Sequence, residues 1–127
     1  MGIVRPVLGG RSQRPRPHPV RGRRAFAQLR RSRRRAWSGP VRVQFLPAQE
    51  SDEVRRFTFV VPRKVGTAVE RNRVRRRLRA VTAEATASLP AGAYLVGIDQ
   101  GVRDLPFQEL RTRVIEAMQR ASQVAAR

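Results

Sequence analysis

Between Arg71 and Arg79 the chain reads Arg-Asn-Arg-Val-Arg-Arg-Arg-Leu-Arg, so six of nine residues carry a guanidinium. The chemistry open to such a run is recognition, not bond making. A guanidinium is planar, always charged, and presents a fork of donors that fits phosphate oxygens in pairs. Arg63 and Lys64 place two more cations just upstream. Like charges at these spacings destabilise an isolated helix by roughly a few tenths of a kcal/mol per pair, and only Glu70 offsets them locally. A solvated charged face normally mixes both signs; one this purely cationic expects a polyanion.

Groups for covalent or acid–base chemistry are scarce. The chain has no cysteine, which excludes disulfides, a thiolate zinc site and a thiol nucleophile. The single histidine, His18, lies in a Pro/Gly-rich N-terminal stretch and reads as an exposed residue without a role. The nine acidic residues are scattered, and no two sit at a spacing that argues for an acid/base pair or a two-metal site. Glu70 and Glu84 read as a helix cap and a solvated helix residue. Gly9-Gly10 lacks the strand-to-helix setting of a phosphate loop. The expectation is a binding protein with no catalytic residue, no metal site and no cofactor of its own.

The element that must display the arginines is a helix from Thr67 to Leu89. Thr67-Ala68-Val69-Glu70 fits a capping box, Gly66 permits a sharp approach, and Pro90 and Gly92 close the far end. Val74, Leu78, Val81 and Ala85 recur at helical spacing and form a buried stripe. At about 100° per residue, Asn72, Arg76 and Arg79 fall opposite that stripe and Arg73 and Arg75 flank it. Arg71 and Arg77 lie nearer the buried edge, with stems packed and heads outward.

The net charge of +19, from 28 basic and nine acidic residues, favours a nucleic-acid or anionic-membrane partner. Lys64 is the only lysine; the arginine preference suits phosphate contacts but follows equally from a GC-rich genome. At 127 residues the chain is one domain plus at most a tail. Residues 1–22 hold four of the nine prolines and no apolar periodicity, and read as a disordered or extended basic tail; residues 23–126 are the domain. Arg23–Arg31 forms a short helix that must dock through Phe26 and Leu29. Ser32–Trp37 is either a basic connection or a first edge strand. Val41–Phe45 and Arg55–Val61 alternate as half-buried strands and should pair antiparallel across the polar loop Pro47–Glu53. Ala93–Ile98 is apolar on both faces and suits a buried strand. A last helix starts at Leu105-Pro106-Phe107. No apolar run approaches the roughly 20 residues of a membrane span, and a secretory signal is missing, so the cytoplasm is expected.

The segment Phe57 to Arg79 resembles the signature of the bacterial ribonuclease P protein component. The match runs through Arg63-Lys64, Gly66, Ala68-Val69, Arg71-Asn72-Arg73, Arg75-Arg76 and Leu78-Arg79, without a gap. Outside it, Phe26 and Leu29, Val41–Leu46, and Leu105–Leu110 fit the family's first helix, second strand and last helix. The resemblance implies an α+β fold, α-β-β-β-α-β-α, with a four-stranded mixed sheet similar to the second domain of ribosomal protein S5. It also implies a left-handed βαβ crossover, against the general right-handed preference. As a ribonuclease P subunit, the chain would assist endonucleolytic removal of the 5′ leader of precursor tRNA. The catalytic groups and the Mg²⁺ would belong to the RNA subunit. Its partners would be ribonuclease P RNA and precursor tRNA, with no DNA and no membrane. The implied RNA-subunit contacts are Arg63, Lys64, Arg71, Asn72, Arg73, Arg75, Arg76 and Arg79, with Asn72 alternatively bracing the loop before the helix. The implied leader contacts, in a cleft between the first helix and the sheet, are Phe26, Trp37, Phe57 and Phe59. With so few aromatics, core roles compete for at least half of these. A structural ribosomal or other RNA-binding protein of related fold is the alternative. A cationic membrane-surface protein is disfavoured, because the basic helix lacks a large exposed apolar face.

Overall fold

The computed structural model describes residues 16–49 and 52–123. In order come β1 (Pro17–Pro19), α1 (Arg23–Arg30), β2 (Arg34–Ser38), β3 (Val41–Pro47), β4 (Arg55–Val60), α2 (Ala68–Ala85), β5 (Gly92–Ile98) and α3 (Phe107–Gln123). Short 3₁₀ turns at Arg63–Val65, Thr86–Ser88 and Gln100–Asp104 bracket α2 and lead into α3. From α1 onward this is the expected α-β-β-β-α-β-α order in an α+β fold. Of the expected basic tail, residues 1–15 lie outside the described residues, as does part of the 47–53 loop.

The sheet has five strands, not four, in the order β1-β4-β5-β3-β2. The β2/β3 and β3/β5 pairs are antiparallel; β4/β5 and β1/β4 are parallel. The antiparallel hairpin expected between β3 and β4 therefore does not form, because β5 lies between them. The reason is burial. Every residue of β5 but Ala93 is buried, whereas β3 carries Arg42 and β4 carries Arg55 and Arg56. The strand that is apolar on both sides takes the centre.

The added strand, β1, comes from the stretch expected to be tail. Its prolines argue against a strand in general, but not at an edge. Val20 N–H donates to the Phe57 carbonyl at 3.3 Å. By alternation the N–H of His18 points the same way, so the positions turned outward are Pro17 and Pro19, which have no N–H to offer. An edge built this way cannot easily template further pairing.

One sheet face, through Val43, Phe45, Phe57, Tyr94 and Val96, packs on Val74, Leu78 and Val81 of α2 and on Leu110, Val114 and Met118 of α3. Fully burying Leu78 contributes roughly 1.5–3 kcal/mol. On the other face α1 lies over β3 and β5. Leu29 and Leu95 are fully buried apart from the main core. The Gln44 side-chain amide donates to the Arg30 carbonyl at 2.7 Å, so this buried amide is satisfied. The sheet thus has two working faces, one under α2 and α3 and one under α1.

Candidate nucleic-acid interface

Helix α2 starts as its sequence dictates. The Thr67 hydroxyl accepts from the Glu70 N–H at 3.1 Å, and the Glu70 carboxylate accepts from the Thr67 N–H at 2.8 Å. Gly66, with φ of 155°, precedes this cap, and a Cβ there would lie 2.2 Å from Glu70 Oε1. The backbone there favours glycine, and a side chain would displace the capping carboxylate of Glu70. The predicted stripe Val74, Leu78, Val81 and Ala85 is buried, joined by Thr82. Asn72, Arg73, Arg76 and Arg79 are exposed, while Arg71, Arg75 and Arg77 are half-buried on the flanks. Regular helix ends at Ala85, and a 3₁₀ turn carries the chain on to a buried Leu89.

The carboxylates decide the electrostatics. Six ion pairs occur among the described residues, and none contains an arginine of α2. Both acids of α2 are taken by cations from elsewhere: Glu70 by Arg103 at 3.1 Å, and Glu84 by Arg111, whose Nε sits 2.9 Å from both carboxylate oxygens. The Thr67 backbone N–H, then Arg103, hold the Glu70 carboxyl below its ordinary range despite some desolvation. The Arg111 hydrogen bond does the same for Glu84. Arg71 Nε donates to the Gly66 carbonyl at 3.3 Å, and the Arg77 guanidinium lies 6.0 Å from the centre of the Phe107 ring. Arg73, Arg75, Arg76 and Arg79 have no side-chain partner among the described residues. They form a ridge of free guanidinium groups pinned from below by Val74 and Leu78.

A second basic feature lies on the face that carries α1. Trp37, Arg42, Gly97 and Val60 stand opposite one another in a single row across β2, β3, β5 and β4. The Arg42 guanidinium folds over Gly97, where a Cβ would come within 2.9 Å of it. Arg42 Nε is buried without a hydrogen-bond partner among the described residues. With Pro40, Pro62 and the Lys64–Asp99 ion pair (3.1 Å) this row lines a cavity of about 360 Å³. Trp37 is 56% exposed beside it. An unsatisfied guanidinium next to an open indole offers charge and a π face to an unpaired nucleotide.

The structure splits the sequence-predicted residues. Arg71, Asn72, Arg73, Arg75, Arg76 and Arg79 share α2. Arg63 is exposed on the turn before it, while Lys64 on the same turn faces the Trp37–Arg42 cavity and pairs with Asp99. The loop before α2 is braced by Glu70 and Arg71, not by Asn72. The four aromatics are not brought together. Phe26, on α1, is half-buried with the Arg30 guanidinium 5.6 Å from its ring centre, and Trp37 lies in the open row. Phe57 and Phe59 point to the opposite face. Phe57 is 5% exposed and stacks on Tyr94 at 5.2 Å, as a core residue does; Phe59 packs half-buried against the same core. Strand alternation turns Arg56, Thr58 and Val60 toward α1 instead. Arg42 was missed. Its only sequence signal was a lone cation between the valines of an alternating strand.

These features define a class: an α+β protein with a polyanion-binding surface, rich in unneutralised guanidinium and without a catalytic set among its described residues. The ribonuclease P family model matches residues 15–122. The chain belongs to the ribonuclease P protein family, whose members are protein components of a ribonucleoprotein endoribonuclease of tRNA processing. It is similar to the ribonuclease P protein component of Mycoplasma pneumoniae, at 35% identity over 86% of this chain and 92% of that protein. It is also similar to that of Thermus thermophilus, at 39% identity over 83% of this chain, which spans 60% of the Thermus protein. Two solved structures share the fold. A Staphylococcus aureus RNase P protein aligns with a TM-score of 0.72 at 17% identity, over 94% of this chain and 96% of that one. The Thermotoga maritima RNase P protein aligns with a TM-score of 0.70 at 21% identity, over 81% and 96%.

Proposed function

We propose that the chain works by holding two RNAs on two faces. The α2 ridge, through Arg71, Asn72, Arg73, Arg75, Arg76 and Arg79 with Arg63 beside it, binds the ribonuclease P RNA. The α1 face, through Phe26, Trp37, Arg42 and Lys64, takes the single-stranded 5′ leader of precursor tRNA. The observation that carries this reading is the set of four α2 arginines left without a carboxylate while acids in reach are engaged by other cations. Screening phosphate repulsion and fixing the substrate's position raises the rate without any reacting group on the protein. The donor set does not fit a protein-bound metal. No group of three or more acidic or histidine ligands occurs among the described residues, and six carboxylates are each held by a cation. On this reading, any Mg²⁺ of the holoenzyme is held by RNA phosphates. A cytoplasmic site of action fits the bacterial ribonuclease P family. Among the described residues, no helix is long and apolar enough to cross a membrane.

Reconstitution tests this. Added to a bacterial ribonuclease P RNA at low Mg²⁺, the protein is expected to accelerate leader removal from precursor tRNA. Binding without any gain in cleavage would contradict it, and would favour a structural RNA-binding protein.

A further inference from the structure

We infer that a groove between the β1/β4 edge and α2 is a slot for one unstacked nucleotide of the RNA that α2 binds. The inference rests on α2 being an RNA-binding helix, and adds a base-reading site to its phosphate contacts. The groove encloses about 550 Å³ and is lined by Pro19 and Phe59 on the sheet side and by Arg75, Arg79, Thr82 and Ala83 on the helix side. That volume lies within the range of small-molecule pockets.

Three independent features select the occupant. First, Arg75 and Arg79 have no carboxylate partner among the described residues, so the helix wall carries two free positive charges. Second, the half-buried Phe59 ring gives the opposite wall an apolar, aromatic surface. Third, the sheet edge is incomplete there. Strand β1 ends at Pro19, opposite Phe57, and its last hydrogen bond runs from Val20 N–H to the Phe57 carbonyl. By alternation the N–H and C=O of Phe59 point to the same edge, and neither has a backbone partner there among the described residues. One donor and one acceptor side by side match the edge of a base, the ring matches its face, and the two guanidinium groups match its phosphate. A bare phosphate would use the arginines alone.

The Phe59 backbone amide reports from the sheet side of the groove, and the Arg75 and Arg79 Nε–H signals report from its helix wall. The full chain is titrated with adenosine and uridine 5′-monophosphates, ribose 5-phosphate and inorganic phosphate. The nucleotides are expected to shift the Phe59 amide together with the arginine Nε–H signals, and ribose 5-phosphate and inorganic phosphate to shift only the arginine Nε–H signals. Equal responses to nucleotide and ribose 5-phosphate, or no response at Phe59, would overturn the slot. In the complex with ribonuclease P RNA, Phe59→Leu keeps apolar volume and removes the ring. It should weaken binding roughly fivefold or more, the scale of one base–aromatic stack, with the salt dependence unchanged. Unaltered affinity would count against the slot.

A pair of crosslinkers separates this failure from that of the helix itself. The chain has no cysteine, so Ala83→Cys reports from the groove and the exposed Ala80→Cys from the crest of α2. Photocrosslinking to the RNA from both positions supports the slot. Crosslinking from position 80 alone leaves the helix assignment standing and removes the slot, and crosslinking from neither removes both.

Discussion

Helices α2 and α3 pack against each other on the same sheet face, and both carry arginines, yet they treat them in opposite ways. Each of the three described arginines of α3 has an acid: Arg111 with Glu84, Arg113 with Glu109 at 3.0 Å, and Arg120 with Glu116 at 3.1 Å. None of the six arginines of α2 has one among the described residues. The asymmetry is sharper because α2 supplies Glu84 to its neighbour and commits Glu70 to its own cap and to Arg103. Arginine content alone therefore says little. A guanidinium matched at i,i+4 or across a helix contact belongs to the protein's own charge balance, whereas one left unmatched beside occupied acids is kept for a partner.

The contrast can be broken from below, by removing what pins each surface. Phe57→Ala should cost about 3–5 kcal/mol in chemical denaturation, as a core truncation does. Leader binding lost with an intact fold would instead return Phe57 to the RNA surface. Leu78→Ala, beneath the ridge, should cost about 2–5 kcal/mol, whereas Arg76→Ala with Arg79→Ala should leave the unfolding midpoint nearly unchanged. A large stability loss in the arginine pair would mean that its side chains pack inward. Thr67→Ala removes the cap hydroxyl and should cost about 0.5–2 kcal/mol, loosening the first turn of α2 while α3 is untouched, which amide exchange can resolve.

Acid should act on the paired charges first. Glu70, Glu84, Asp99 and Glu116 are all held below their ordinary values, by the Thr67 N–H, Arg111, the Gln100 N–H and Ser38 respectively. Carboxylates with depressed folded-state values contribute stability that is present above the unfolded range, about 4. That contribution is lost as pH falls through the lower folded values. The thermal midpoint should hold level from neutrality to about pH 5 and decline below about 4. A decline beginning near neutrality would contradict these pairings.

What could be read in advance was local. The capping box, the stripe from Val74 to Ala85, the half-buried positions of Arg71 and Arg77 and the alternation of Phe57 and Phe59 all follow from periods of 3.6 and 2 within one element. What could not be read was non-local. Nothing near Val41 or Arg55 says that β5 will come between them; that depends on burial of a strand far along the chain. Pro17 and Pro19 count against a strand until their N-sides are known to face outward. Alternation tells that Phe57 and Phe59 of β4 go together, but not which sheet face α1 covers. Arg42 acquires its meaning only from its neighbours in the row, Trp37 and Gly97.

The most direct test compares salt dependence. Binding to ribonuclease P RNA is followed by anisotropy across a series of KCl concentrations for three proteins: the unaltered chain, Arg76→Ala/Arg79→Ala, and Arg113→Ala/Arg120→Ala. If the unmatched guanidinium groups of α2 meet RNA phosphates, the first variant flattens the slope of log affinity against log salt by about 1.5–2, and the second runs parallel to the unaltered chain. Equal slopes for all three, or flattening only in the α3 variant, would contradict it.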